Sequence, residues 1–216
     1  MKLYKNFNIS KNHKGSIILI GNFDGIHLGH QKLFELARKY KKNFNLHVGV
    51  LTFEPMPKMF FNKKIKNFRI SNIYQKNKIL KNLGVDFVIT QNFDKKFSKI
   101  KSINFIKNIL SNRLKAKFIF VSNNFRFGNK REGDVKFLIQ NEHKYNYQVI
   151  KPKPLLINKK IVSSSLIRNY LENGYLERAN KLLDRKWSIE GMVQKGRQVG
   201  KKIGFPTCNI DIKIMS

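Results

Sequence analysis

Two histidines stand three residues apart in the stretch Gly21-Asn22-Phe23-Asp24-Gly25-Ile26-His27-Leu28-Gly29-His30-Gln31. In the first turn of a helix that spacing puts both imidazoles on one face. Each ring can donate a hydrogen bond to a phosphate oxygen, and the helix N-terminus adds free N–H groups and positive potential. The pair therefore suits a triphosphate. Gly21, Gly25 and Gly29 let backbone approach a bulky anion. A capped turn with two incidental histidines is the plainer account. Zinc is a third: His27 and His30 have a ligand's spacing, but the only cysteine, Cys208, is far along the chain. The glycine fingerprint of dinucleotide sites, Gly-x-Gly-x-x-Gly, does not occur in this stretch.

Two further clusters carry polar chemistry. In Val162-Ser163-Ser164-Ser165-Leu166-Ile167-Arg168 the serines can cap a helix. Arg168, four residues after Ser164 and three after Ser165, projects over the same turn. Hydroxyls, helix N–H groups and a guanidinium make a phosphate clamp, although capping alone accounts for the stretch equally well. The segment 123–134 mixes aromatics, glycines and charge. Its Asn124, Phe125, Arg126 and Phe127 can close over a base or another flat ring, and the two phenylalanines serve as readily in a core. Thr52-Phe53-Glu54-Pro55 reads as no more than a strand terminus.

The elements that must position these groups follow from hydrophobic pattern. Short runs at 16–21, 46–53, 85–90, 117–122 and 147–152, rich in β-branched and aromatic residues, read as buried strands. Helical periodicity fills the gaps at 31–43, 72–84 and 102–114, and two more helices are expected at 163–172 and 175–183. Alternation of this kind predicts a parallel sheet with helices on both faces. Ligands of such sheets bind beyond the carboxyl ends of the strands, where the paired histidines fall. From about Trp187 the texture changes to strands around the glycine-rich run 196–204, which sets a boundary near residues 184–186. The domains are thus 1–185 and 186–216. About 30 residues are too few for an independent β domain, so the tail is expected to be mobile or loosely packed.

Composition narrows the function classes. Apolar residues make up 41% of the 216, enough for a sizeable core. A single cysteine excludes an internal disulfide and suits the cytoplasm. No apolar run approaches the roughly 18 residues that span a bilayer, and the N-terminus lacks a signal peptide's apolar centre. The formal net charge is +31, from 44 Lys and Arg against 13 Asp and Glu. Such a balance raises nucleic-acid binding as a reading. The basic residues are scattered among many Asn, Ile and Phe, a pattern that A- and T-rich codons produce, and the expectation is no nucleic-acid and no membrane partner.

In order and along nearly the whole chain, these residues resemble the bacterial bifunctional riboflavin kinase/FAD synthetase. Residues 23–30 match its Phe-Asp-Gly-x-His-x-Gly-His, Val162–Arg168 its Ile-Ser-Ser-Thr-x-Ile-Arg, and Asn124–Gly128 its Asp/Asn-Phe-x-Phe-Gly. Gly196, Gly200, Gly204, Phe205, Pro206, Thr207, Cys208 and Asn209 match the opening of its kinase half. Met56 departs from a common histidine, Ser165 from threonine, Ser122-Asn123 from Gly-Asp or Gly-Glu, and Cys208 from alanine. The resemblance implies a Rossmann-like nucleotidyltransferase domain followed by the start of a β-barrel kinase domain. It implies adenylyl transfer from ATP, with Mg2+, to FMN, giving FAD and pyrophosphate. His27, His30 and Arg168 are the implied catalytic residues. Gly21, Asn22, Phe23, Asp24, Gly29, Ser164 and Ser165 would bind ATP, and Asn124, Phe125, Arg126 and Phe127 the flavin. Thr207 and Asn209 would be Mg-ATP contacts of the kinase site, where riboflavin becomes FMN. The family's kinase half is longer than residues 186–216 and its catalytic base lies beyond them, so this chain is expected to adenylylate FMN without phosphorylating riboflavin. The core shared with other adenylyl- and cytidylyltransferases keeps a different phosphorylated acceptor as the alternative, with a basic nucleic-acid-binding protein behind it.

Overall fold

The structure, a computed structural model, describes residues 1–65, 69–194, 203–205 and 207–210. Six strands form one parallel sheet: β1 (Lys2–Tyr4), β2 (Ile17–Ile20), β3 (Val48–Glu54), β4 (Phe87–Asn92), β5 (Phe118–Phe120) and β6 (Gln148–Ile150). Their spatial order is β1-β4-β3-β2-β5-β6. Both faces of the sheet are covered, which is why its strands read as unbroken apolar runs. The two-residue period divides them all the same. Ile17, Leu19, Val50 and Val88 face one core cluster with Phe34 and Phe120. Ile18, Ile20, Leu51 and Ile89 face the other with Phe105 and Leu110.

The connections set the position of any ligand. From β2 the chain crosses through helix α1 (Leu28–Phe44) to β3, and through α2 (Ile73–Asn82) to β4. It then returns to the far side of β2 as β5. The strand order reverses between β2 and β5, and a crevice opens there at the carboxyl ends. The loops that leave those two strands are 21–27 and 121–125. Helices α3 (Ser164–Glu172) and α4 (Leu176–Leu183) pack on a third cluster of Ile70, Val162, Ile167, Ala179, Leu182 and Leu183.

Three features depart from the expectation. The strand β1 is a short edge strand whose Lys-Leu-Tyr carries no period. The segment 102–114 opens as a turn of α-helix (Ser102–Asn104) and continues as a π-helix (Phe105–Arg113), closed by Leu114 N–H donating to Ile109 O. A helix at Val135–Gln140, capped by Asp134, follows the segment 123–134 where the pattern marked no element. In the tail, the described residues form one antiparallel pair, Val193–Gln194 with Asn209–Ile210. Gly196, Gly200 and Pro206, with 195–202 and 211–216 as a whole, lie outside the described residues. Met192, Val193 and Phe205 are exposed. Residues 187–190 are tied to the first domain. Trp187 donates its backbone N–H to Asn180 Oδ1 (2.6 Å) and its indole N–H to Ile70 O (2.9 Å). Gln75 Nε2 donates to Ser188 O (3.0 Å) and Asn72 Nδ2 to Glu190 O (3.2 Å).

Gly49 has a steric reason to be glycine. It sits opposite Phe87 in the β3–β4 ladder, and a Cβ there would lie 2.1 Å from the buried Phe87 ring. Gly49→Ala should therefore lose about 1–3 kcal/mol, the usual cost of overpacking a core. Urea denaturation reads this directly; an unchanged midpoint would mean that the ring has room to move.

Candidate active site

The loop after β2 is strained and then tied down. Gly21 N–H donates to Leu51 O, the last register contact before the chain turns. Phe23, Gly25 and Ile26 then take left-handed φ values of 48°, 77° and 41°. For two bulky non-glycine residues that conformation costs about 1–3 kcal/mol each. Burial of both side chains among the core residues of β2, α1 and β5 opposes the cost. So do hydrogen bonds to the turned carbonyls. Arg185 donates to Gly25 O (2.6 Å) and Ile26 O (3.5 Å), and Gln31 Nε2 to Ile26 O (3.3 Å) and Leu183 O (3.2 Å). The loop is thereby stapled to the end of α4.

Asp24 joins three segments. Its carboxylate accepts from the backbone N–H of Ile70 (3.0 and 3.2 Å) and Ser71 (3.4 Å), and pairs with Arg168 Nη2 at 2.7 Å. Its carbonyl accepts from Ser164 Oγ at 2.8 Å. Ser163, one residue earlier, caps α3 by accepting from Leu166 N–H. Ser165 is exposed.

His27 caps α1. Its Nδ1 accepts from the His30 N–H at 3.4 Å, and the two rings stack with centroids 3.7 Å apart. The close approach depends on Gly29, where a Cβ would stand 3.2 Å from the His27 ring. Burial, with the Arg185 charge behind it, lowers the His27 pKa to about 4. Burial also holds His30 well below its ordinary value, with His27 adding to the effect. Both rings are neutral at pH 7. Since His27 Nδ1 is an acceptor, its proton sits on Nε2, which is left as a donor. His30 Nδ1 is buried without a partner. A neutral histidine pair with a donor and an unsatisfied ring nitrogen, at a helix N-terminus, can receive an oxyanion.

Beneath the loop lies a charged floor. Lys76 Nζ donates to Asn22 O (3.4 Å) and Thr52 Oγ1 (3.2 Å). Arg69 makes a two-pronged ion pair with Glu54. Across the crevice, Asn124 is exposed and its Oδ1 accepts from Ser122 Oγ, while exposed Arg126 pairs with Asp134 at 3.4 Å. Phe125 is half-buried and stacks with Phe127, which is itself buried against Phe105 and Phe137.

Comparison with known proteins decides the family. Residues 9–166 match the FAD synthetase family model and residues 183–216 the riboflavin kinase model. The chain belongs to the FAD synthetase family. The bifunctional riboflavin kinase/FMN adenylyltransferase of Buchnera aphidicola subsp. Schizaphis graminum is 40% identical over 215 residues, covering 99% of this chain and 69% of the relative. The Escherichia coli K12 protein of the same description is 34% identical over 200 residues, 93% of this chain and 64% of the relative. The chain thus spans about two thirds of the length of the curated relatives it matches. A solved structure described as a macrolide-efflux protein from Streptococcus pneumoniae superposes with a TM-score of 0.82 at 28% identity, over 98% of this chain and 68% of that one. No helix among the described residues of this FAD synthetase family member is long and apolar enough to cross a membrane.

Within that frame, two of the three sequence clusters meet directly: Asp24 with Arg168 and Ser164, and Gly29 against Val162 O. The third lies at the same end of the sheet. Phe127 stands in the core under its loop, so a flavin resting on that loop would meet Phe125 and the exposed Asn124 and Arg126 instead. Thr207 and Asn209 are exposed in the tail, Asn209 facing Gln194 in the strand pair. Sequence reasoning missed Thr52, Glu54, Arg69, Lys76, Gln31 and Arg185. Glu54 had the one visible signal, an acid before a proline at a strand's carboxyl end. Lys76 is one lysine in a lysine-rich helix, and nothing in its neighbours distinguishes it.

The buried histidines fix a pH dependence of stability. His27 is depressed from 6.5 to about 4 in the folded chain. The unfolded chain therefore takes up the proton first, and stability falls as pH drops from about 6.5 to about 4, by up to about 3 kcal/mol. The unliganded His27→Gln variant should lose less stability across that window than the wild type, as read by melting temperature at stepped pH. Parallel curves for the two would show that His27 is not the group being charged.

Proposed function

We propose that this chain transfers the adenylyl group of Mg-ATP to FMN, and that the loop Gly21–His30 with the turn Ser163–Arg168 holds the triphosphate. A phosphate oxygen of FMN attacks the α-phosphorus and bonds to it. The bond from that phosphorus to the β-bridging oxygen breaks, and pyrophosphate leaves. The observation that carries the reading is the stacked neutral pair His27–His30, clamped at a helix N-terminus beside Arg168 in a family member. The reaction asks little covalent chemistry of the protein. Donors already aimed where charge develops, and reactants held in line, account for the rate.

His27 Nε2–H and His30 donate to the phosphates of the leaving group. Gly21, Asn22, Phe23 and Gly29 supply close backbone approach. Ser164, Ser165 and Arg168 face the β- and γ-phosphates, with Asp24 orienting the guanidinium. Asn124, Phe125 and Arg126 rest against the flavin, above Phe127. Among the described residues no three His, Cys, Asp or Glu converge on one point, and the Asp24 carboxylate is already engaged. Magnesium would come with the nucleotide and neutralise phosphate charge, since this ion is usually held by phosphates and water. The match of residues 183–216 to riboflavin kinase supports riboflavin phosphorylation, named in the relatives' description, as the step that supplies FMN; in this chain Thr207 and Asn209 would be the Mg-ATP contacts of that site, and the expectation stays adenylyl transfer alone. A cytoplasmic location fits an enzyme that uses ATP and FMN.

Incubation with FMN, ATP and magnesium, followed by chromatography, should show FAD. His30→Ala should lower its formation by about 100-fold or more, since loss of one preorganised donor typically costs about 100- to 1,000-fold. Normal turnover in a folded His30→Ala protein would remove the motif from the phosphate site. Arg168→Lys should also be impaired in its use of ATP, because an ammonium keeps the charge and loses the planar fork that spans Asp24 and a phosphate. Wild-type ATP kinetics in that variant would reduce Ser163–Arg168 to a helix cap.

A further inference from the structure

Lys76 has no part in the scheme above, yet its position is costly. The residue is 5% exposed and its partner Thr52 is fully buried. A buried ammonium normally requires a carboxylate. The two nearest acids are committed elsewhere: Glu54 pairs with Arg69, and Asp24 with Arg168. Lys76 instead donates to two neutral oxygens, Asn22 O and Thr52 Oγ1, and Thr52 donates to the same carbonyl at 3.5 Å. Among the described residues no carboxylate pairs with it directly, and it sits under the loop read as a triphosphate cradle.

We propose that Lys76 is a positioning residue for the nucleotide, fixing the Asn22–Phe23 peptide from below and leaving a positive floor that the phosphates complete. Among the described residues the only cis peptide is Glu54–Pro55, so the Asn22–Phe23 unit is trans and its C=O and N–H point in opposite directions. With the carbonyl drawn down to Lys76 and Thr52, the Phe23 N–H faces away from the floor. The left-handed φ of Phe23 then turns the chain toward His27. The ammonium does not touch substrate. It acts through that peptide and through its field, which is strong across a dry floor. The inference rests on the nucleotide reading of the loop and adds a pH signature to it.

That signature comes from the same burial. Desolvation, with Arg69 adding to it and Glu54 and Asp24 opposing, lowers the ammonium to about pH 8. The charge is therefore present below pH 8 and lost above it, so triphosphate binding weakens as pH rises. His27 titrates near 4 and His30 well below its ordinary value, so neither shapes this limb. Phosphate groups titrate near 6, also outside it.

The test measures ATP binding by calorimetry, and kcat/KM for ATP in FAD formation, from pH 6.5 to 9.5. The proteins are the wild type, Lys76→Met, Lys76→Gln and Lys76→Arg. The wild type should show an alkaline fall that approaches tenfold per pH unit above about 8. Lys76→Met and Lys76→Gln should be lower at pH 7, by up to about 100-fold, and flat across the limb. Lys76→Arg, with a charge that persists, should recover part of the loss without the limb. Lys76→Gln is smaller but keeps a neutral donor for the Asn22 carbonyl, so it serves where the apolar Lys76→Met fails to fold. An alkaline limb that survives in Lys76→Gln, or wild-type kcat/KM at pH 7 in that variant, would overturn the proposal. ATP binding with the Lys76-dependent profile but no FAD would overturn the flavin reading and uphold Lys76. Absence of ATP binding in the wild type would overturn both.

Discussion

The carboxylate of Asp24 is the contact on which the site depends. It is buried, and a buried carboxylate is tolerated only with its lone pairs filled. Two backbone amides from Ile70 and Ser71 and the Arg168 guanidinium fill them. Those partners come from the segment ahead of α2 and from α3, far apart in sequence and adjacent only in the fold. One side chain thus sets the distance between the histidine loop and the serine–arginine turn. It also sets the angle of the guanidinium, so that Arg168 reaches the crevice with its fork already oriented. Truncation of the acid would leave a cation and two amides unsatisfied together, which is why its loss would be felt as folding before it was felt as kinetics.

Much of this was legible in the sequence, for identifiable reasons. Five of the six strands announce themselves as β-branched runs because a doubly covered parallel sheet buries most of their side chains on both faces. The helices Ser164–Glu172 and Leu176–Leu183 were expected at nearly those limits because a serine cap and an apolar period mark them. The edge strand Lys2–Tyr4 escaped because three residues cannot display a period, and the π-helix because its buried Phe105, Ile106, Ile109 and Leu110 fit an α-helical face as well. At the site, the residues of the glycine-rich loop left a local signature. Residues that hold that loop from behind did not. Arg185, Lys76 and Thr52 act on carbonyls distant in sequence, and a long-range contact to a main-chain oxygen imposes no pattern on its neighbours.

The electrostatics of the site are narrower than the net charge of +31 suggests. Cations scattered over the surface are screened beyond about a Debye length and cannot orient a phosphate. In the floor of the crevice they are few and individually assigned: Arg168 to Asp24, Arg69 to Glu54, Arg185 to the carbonyls of Gly25 and Ile26, and Lys76 to Asn22. The histidines between them are held neutral by burial, with the Arg185 charge adding to it at His27. A neutral imidazole offers a directed N–H without the hydration an imidazolium would have to shed.

The last element to be placed is the one that closes the strained loop. The left-handed carbonyls of Gly25 and Ile26 are held by Arg185, which follows α4, and the Ile70 carbonyl is held by Trp187. Gln75, which closes the capping box of α2 with Asn72, spends its remaining donor on Ser188. The junction between the FAD synthetase match and the riboflavin kinase match therefore runs along the back of the histidine loop and is part of its support. A family model that ends at residue 166 leaves out the residues that keep Phe23 and Ile26 in their costly conformation. Residues on both sides of that junction thus meet at one loop: Arg185 holds the carbonyls next to His27 from behind, and Trp187 holds Ile70, whose N–H in turn binds Asp24.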